Sequence, residues 1–174
     1  TQMFNNASSF NQELGTWNVS KVVNMSFLFF NCKKFNQDLS KWNVSQVSDM
    51  RSVFSQASSF NQDLSTWDVS QTTEMSYMFY QCSSFNQNLG NWNVSKVTTM
   101  DNMFTDTTSF DVSNYSATLT GWATLPTLQN NVPLGGGTAL YEAARVAYTH
   151  LISAPYIWQI TPVPTFLPTP GLSV

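Results

Sequence analysis

The chain has 174 residues, 42% of them hydrophobic, which is enough for one domain with a substantial core. Only 10% are charged and the net charge is −3, so there is no basic footprint and nucleic acid is excluded as an expected partner. No apolar run reaches the roughly 18 residues that a spanning helix needs.

The chain opens at "TQMF", partway through a repeat and without an initiator Met, and is expected to be a piece of a longer protein. The phrase "SSFNQELGTWNVS" at 8–20 returns as "KKFNQDLSKWNVS", "SSFNQDLSTWDVS" and "SSFNQNLGNWNVS", each copy 25 residues after the last. Such a period indicates stacked units. Columns of Phe (4, 29, 54, 79, 104 and 10, 35, 60, 85, 110), Leu (14, 39, 64, 89), Trp (17, 42, 67, 92), Val (19, 44, 69, 94) and Met (25, 50, 75, 100) follow. Large apolar residues this regular bury best against their own copies in neighbouring units.

Within each unit, Leu64, Trp67 and Val69 end in the alternation of a short strand. Thr72, Met75, Met78, Phe79, Cys82 and Phe85 then step like one buried helical face. Ser20, Ser45, Ser70 and Ser95 stand where a helix N-cap is expected. The resulting expectation is an α/β right-handed solenoid over 1–112, of about four and a half units, with a parallel sheet on one side and short helices on the other. Cys32 and Cys82 share a column two units apart, roughly 10 Å at a spacing of about 4.8 Å per unit. That exceeds the reach of a disulfide, so both are expected as free, buried thiols.

Toward the end, "DVSNYSATLTGW" places Tyr115, Leu119 and Trp122 at helical spacing. "NNVPLGGG" reads as a short strand ending in a turn. Thr138 precedes "ALYEAARVAYTHLI", expected as a helix of about four turns with Leu140, Ala143, Ala144, Ala147 and Leu151 buried. Residues 113–160 are thus expected to form a small α/β C-terminal cap. The segment 161–174, with Pro162, Pro164, Pro168 and Pro170, is expected as an extended linker.

The F-N-Q-x-L of 60–64, W-x-V-S of 67–70 and M-x-x-M-F of 75–79 resemble the BspA-like surface-protein repeat family, known from mycoplasma lipoproteins and secreted Bacteroidetes proteins. The resemblance covers 1–112 and, more loosely, 113–160, where "PYIWQI" lacks the acidic end usual in that place. It implies a leucine-rich-repeat-like solenoid on a cell or particle surface, with adhesion or binding as its role and no catalytic residues.

Chemistry is sparse. His150 is the only histidine, and its placement suits a helix C-terminus. Glu13, Asp38 and Asp63 share a column at about the separation of a retaining glycosidase pair. Asn88 continues that column, so a solvated polar row explains it better than catalysis or calcium. No cofactor and no metal site are expected. Of the N-x-S/T sequons, those at Asn18, Asn43 and Asn93 recur with the repeat, which leaves Asn6, Asn24 and Asn114 as glycan candidates.

Two faces could bind. Thr16, Lys41, Thr66 and Asn91 beside Asn18, Asn43, Asp68 and Asn93 form outward polar rows suited to a protein or glycan ligand. Phe27, Phe30, Tyr77 and Tyr80 recur in every second unit, where Ser52, Ser55, Asn102 and Thr105 stand between, and are candidates for lateral contact. The expected role is a non-enzymatic extracellular or surface module for adhesion or recognition, whose partners are a protein or glycan on another surface. The alternative is a building block of a filament, stalk or coat that packs on copies of itself.

Overall fold

The computed structural model describes residues 2–137 and 139–171. It is a mixed α/β chain with small parallel sheets and two short helices. In order come β1 (Met100–Phe104), α1 (Val112–Ala123), β2 (Pro133–Gly136), β3 (Ala139–Tyr141), a 3₁₀ turn (Glu142–Ala144), α2 (Arg145–Ile152), β4 (Gln159–Thr161) and β5 (Thr165–Leu167). One sheet has the order β1-β2-β4 and the other pairs β3 with β5, all parallel.

Like residues of successive units lie over one another. Phe29 stacks on Phe54 and Phe54 on Phe79, with centroids 5.6 and 5.7 Å apart and planes within 9°. The second Phe column packs against the first within each unit, Phe54 on Phe60 at 3.9 Å. Leu39, Trp42, Met50, Leu64, Trp67, Met75, Leu89 and Trp92 join them in one continuous buried cluster.

The local backbone departs from expectation. No helix occurs in residues 2–111, and the segment read as helical instead alternates two kinds of hydrogen bond. Tyr77, Phe79 and Gln81 donate to Asp101, Met103 and Thr105 of the next unit, while Met78, Tyr80 and Cys82 donate three residues back to Met75, Tyr77 and Phe79. Tight turns of this kind bring every third residue inward, so their apolar spacing matches that of a helix. Two residues per unit are left-handed, as at Phe27 (φ 58°), Asn31 (φ 56°), Tyr77 (φ 60°) and Gln81 (φ 54°). A helix cannot pass through them.

The strand expected at W-x-V is likewise absent. Parallel bridges join Asn24 to Asp49, Asp49 to Glu74 and Glu74 to Thr99, and become a full strand only at β1. Ser20, Ser45, Ser70 and Ser95 cap no helix. Their backbone N–H groups donate to the side chains of Asn18, Asn43, Asp68 and Asn93 two residues earlier, closing Asx turns.

Both cysteines are free and buried, as the column spacing requires. Their thiols donate to backbone carbonyls, Cys32 to Phe4 and Cys82 to Ala57.

Helix α1 buries Tyr115, Leu119 and Trp122, as their spacing indicates. It starts at Asp111, whose side chain accepts from the Asn114 N–H. Gly121 lies so close to the Gly90 backbone that a Cβ has no room.

Downstream, the expected long helix splits. Its first residues form β3 because Ala139, Leu140 and Tyr141 pair in register with Thr165, Phe166 and Leu167, a tertiary pairing that outweighs helix propensity. Leu140, Ala144, Ala147 and Leu151 are buried, but Ala143 is exposed because the 3₁₀ turn rotates it off the apolar face. Thr138, which precedes that segment, lies outside the described residues, as do 172–174. The tail expected as an extended linker is tied down through 167: the Arg145 guanidinium lies over Phe166, 4.0 Å from the ring centroid, and Tyr148 meets the same ring edge-on at 5.5 Å.

Candidate functional site

The hydrogen bonds between units explain the F-N-Q phrase. The backbone N–H of Asn36, Asn61 and Asn86 donates to the side-chain oxygen of Asn11, Asn36 and Asn61, at 2.8–2.9 Å. Gln37, Gln62 and Gln87 donate to the same oxygens at 2.8–2.9 Å. Each Asn carbonyl thus binds two donors of the following unit. The tryptophans add a second tie: Trp42, Trp67 and Trp92 donate Nε1 to the carbonyls of Leu14, Leu39 and Leu64, at 2.8–3.0 Å.

The C-terminal segment reproduces these ties from a different backbone. Asp111 N–H donates to Asn86, Asn114 takes the place of Gln on the same oxygen, and Trp122 donates to the Leu89 carbonyl. The Leu89 N–H donates to Thr118 Oγ1. The last repeat is therefore closed by a helix that makes the repeat's own hydrogen bonds. No motif marked this in advance, because Asn114 and Trp122 lie at offsets of 28 and 33 residues from their partners instead of the repeat's own.

On this framework the polar rows face solvent. Thr16, Lys41, Thr66, Asn91, Asn18, Asn43, Asp68 and Asn93 are all exposed. The second row closes the Asx turns, so those side chains already serve the backbone. In the first row, Thr66 donates to the Ser40 carbonyl at 3.0 Å. Thr16 and Lys41 line a shallow hollow of about 350 Å³ together with Glu13, Gln37 and Asp38. Asp38 is a turn residue there. The Ser40 N–H, then the Ser40 hydroxyl, hold its carboxyl below the usual Asp range. Asp63 and Asn88 cap the same turn in their own units, so the carboxylate column has a backbone role. Asp68 is also held low, first by the Ser70 hydroxyl and then by its N–H.

The aromatic candidates pair within their units. Phe27 meets Phe30 at 5.8 Å and Tyr77 meets Tyr80 at 5.7 Å, both edge-on. Ser52 and Ser55, in the unit between, are buried. Tyr77 is the most open of the four, at 38% exposure, and the others are half-buried.

The sequon side chains differ. Asn24 donates its amide nitrogen to Asp49, and Asn114 donates its own to Asn86. Asn6 is exposed and donates to Asn5. His150 lies in the last turn of α2, edge-on to Tyr156 at 5.2 Å. Among the described residues no three His, Cys, Asp or Glu side chains gather as a metal site, and no helix is long and apolar enough to cross a membrane.

A family model described as "Mycoplasma protein of unknown function, DUF285" matches residues 1–118 of the 174, and the chain belongs to that family. No curated protein and no solved structure matches it.

Proposed function

We propose, with membership of this family as premise, that the chain is a non-enzymatic module of a cell or particle surface, or of the extracellular space, that recognises a protein or glycan ligand. In this reading the stacked units form a right-handed solenoid over 1–112, related to leucine-rich repeats but with tight turns where those carry helices, and 113–160 closes it. One observation carries the reading. Thr16, Lys41, Thr66 and Asn91 stand exposed at one position of successive units, on a backbone pinned by the Asn and Trp ties. Rigid rows of this sort bind with little ordering cost.

The test is glycan-array and pull-down binding of the chain beside a variant with Thr16, Lys41, Thr66 and Asn91 changed to Ala. These residues lie outside the core, so the variant keeps its Tm and loses the ligand. Binding that survives all four changes rejects the row as the site.

A second reading, a building block for lateral assembly, draws on the two aromatic pairs flanking Ser52 and Ser55. Changing Phe27, Phe30, Tyr77 and Tyr80 to Ser should then abolish regular polymers and leave monomer folding intact. Unfolding instead would assign these rings to covering the stack.

A further inference from the structure

The first unit lacks what every later unit has on its leading face. Trp17 is 46% exposed, whereas Trp42, Trp67 and Trp92 are at most 4% exposed. Among the described residues no acceptor meets Trp17 Nε1, the Asn11 N–H or the Gln12 amide, although their counterparts in later units are all bonded to the unit before. The Val23 N–H is likewise unbonded among the described residues, while Ser48, Thr73 and Thr98 donate in turn to Val23, Ser48 and Thr73. Acceptors match: the carbonyls of Met3 and Asn24 receive no bond among the described residues, but those of Leu28 and Asp49 accept from Phe4 and Met25. An apolar cavity of about 110 Å³ opens on this face between Met3, Phe4, Trp17, Val22 and Leu28.

We propose that this face is an interface for one further unit of the same 25-residue phrase, stacked in register on the first. Continuity with the internal junctions carries the proposal. An incoming Leu carbonyl meets Trp17, an incoming Asn side chain meets Asn11 and Gln12, and apolar columns cover Phe4 and Trp17. The donors and acceptors alternate in the order that such a unit supplies, so a merely apolar partner leaves them unmet. A second copy of the chain cannot stack head to tail, because α1 already occupies the trailing face through Asn114, Thr118 and Trp122. The proposal is independent of the recognition reading, since it concerns only how units join.

The test fuses a copy of residues 51–75 directly before Thr1 in the full chain, with a control carrying one extra residue at the junction. Acrylamide quenching of Trp17 is read as the difference from a Trp17→Phe partner, alongside Tm. The in-register fusion is expected to shield Trp17 to the level of the internal tryptophans and to raise Tm by about 5 °C or more. The shifted control is expected to do neither. A fusion in which Trp17 stays as quenchable as before, including one whose added unit fails to order, overturns the proposal. So does equal gain from the shifted control. A parent chain that sediments as a dimer with Trp17 already shielded also overturns it, by giving the face to a second copy.

Discussion

Trp122 donates its indole Nε1 to the carbonyl of Leu89 at 2.9 Å, the bond that Trp92 makes to Leu64 one unit earlier. One Trp sits on a helix and the other on a turn, yet each donates to the equivalent Leu carbonyl of the unit before it. The column is therefore defined by what the preceding unit demands, and the backbone that meets the demand is free to change.

That relationship sets a graded expectation for Trp→Phe substitutions. At Trp92 or Trp122 the change removes one of the two hydrogen bonds that the Leu64 or Leu89 carbonyl accepts and leaves a void, at about 2–3 kcal/mol. At Trp17, half-exposed and with no indole bond among the described residues, it should remove less than about 1 kcal/mol. Denaturant midpoints of the three variants measure this. Equal losses at all three would mean that the first unit is as well covered as the rest.

Asp111 joins the stack to its closing helix, and its titration reports on that joint. Its carboxyl is held below the usual Asp range, first by the Asn114 N–H and then by the Asn86 side chain. The group binds a proton more readily unfolded than folded, so its stabilisation is complete above the unfolded value of about 3.9 and is lost as pH falls through the lower folded value. Asp111→Asn keeps a good N-cap but has no charge to lose. Its stability curve should fall less steeply below pH ~4, so that variant and parent converge in acid. Parallel curves across that range would place the acid sensitivity elsewhere.

The thiols offer a test of the packed columns. Burial pushes Cys32 up to about 11 and Cys82 higher still. With no thiolate near neutral pH and no exposed sulfur, neither should react with a disulfide reagent at pH 8 until the chain unfolds. Full labelling in denaturant with none in the native state is the expected result. Rapid native labelling of Cys82 would contradict the burial of its thiol against the Ala57 and Phe60 carbonyls.

How much of this could be read in advance depended on which residues recorded a contact and which recorded a conformation. The stacking of Phe29, Phe54 and Phe79 was legible because identical residues at a fixed period have one economical use. Tyr115, Leu119 and Trp122 declared their helix for the same reason. The turns at 75–85 were not legible, since consecutive three-residue turns and a helix bury the same positions. The pairing of Ala139–Tyr141 with Thr165–Leu167 was hidden by an Ala-rich sequence and by a partner seen as a Pro-rich tail. At the polar rows, exposure was foreseeable at Thr16 and Lys41, but the turn-closing duty of Asn18, Asn43 and Asp68 was not, because an Asx turn leaves no period of its own.

The left-handed positions supply the most direct check on the turn geometry that replaced the expected helices. Gln56 has φ 62° and donates its N–H to Tyr80 of the next unit, and its column also holds Asn6, Asn31, Gln81 and Asp106 at similar angles. Asn tolerates this region better than Gln, and a β-branched residue tolerates it badly. Gln56→Asn should therefore stabilise by about 0.5 kcal/mol, while Gln56→Val should destabilise by about 2 kcal/mol although valine is apolar and fits a half-buried site. A helix through 50–58 would lose a little stability in both cases and by similar amounts, since Asn and Val are both slightly poorer helix formers than Gln. Thermal unfolding of the two variants thus separates the geometries: opposite shifts in Tm support the turns, and two small shifts of the same sign would restore the helix.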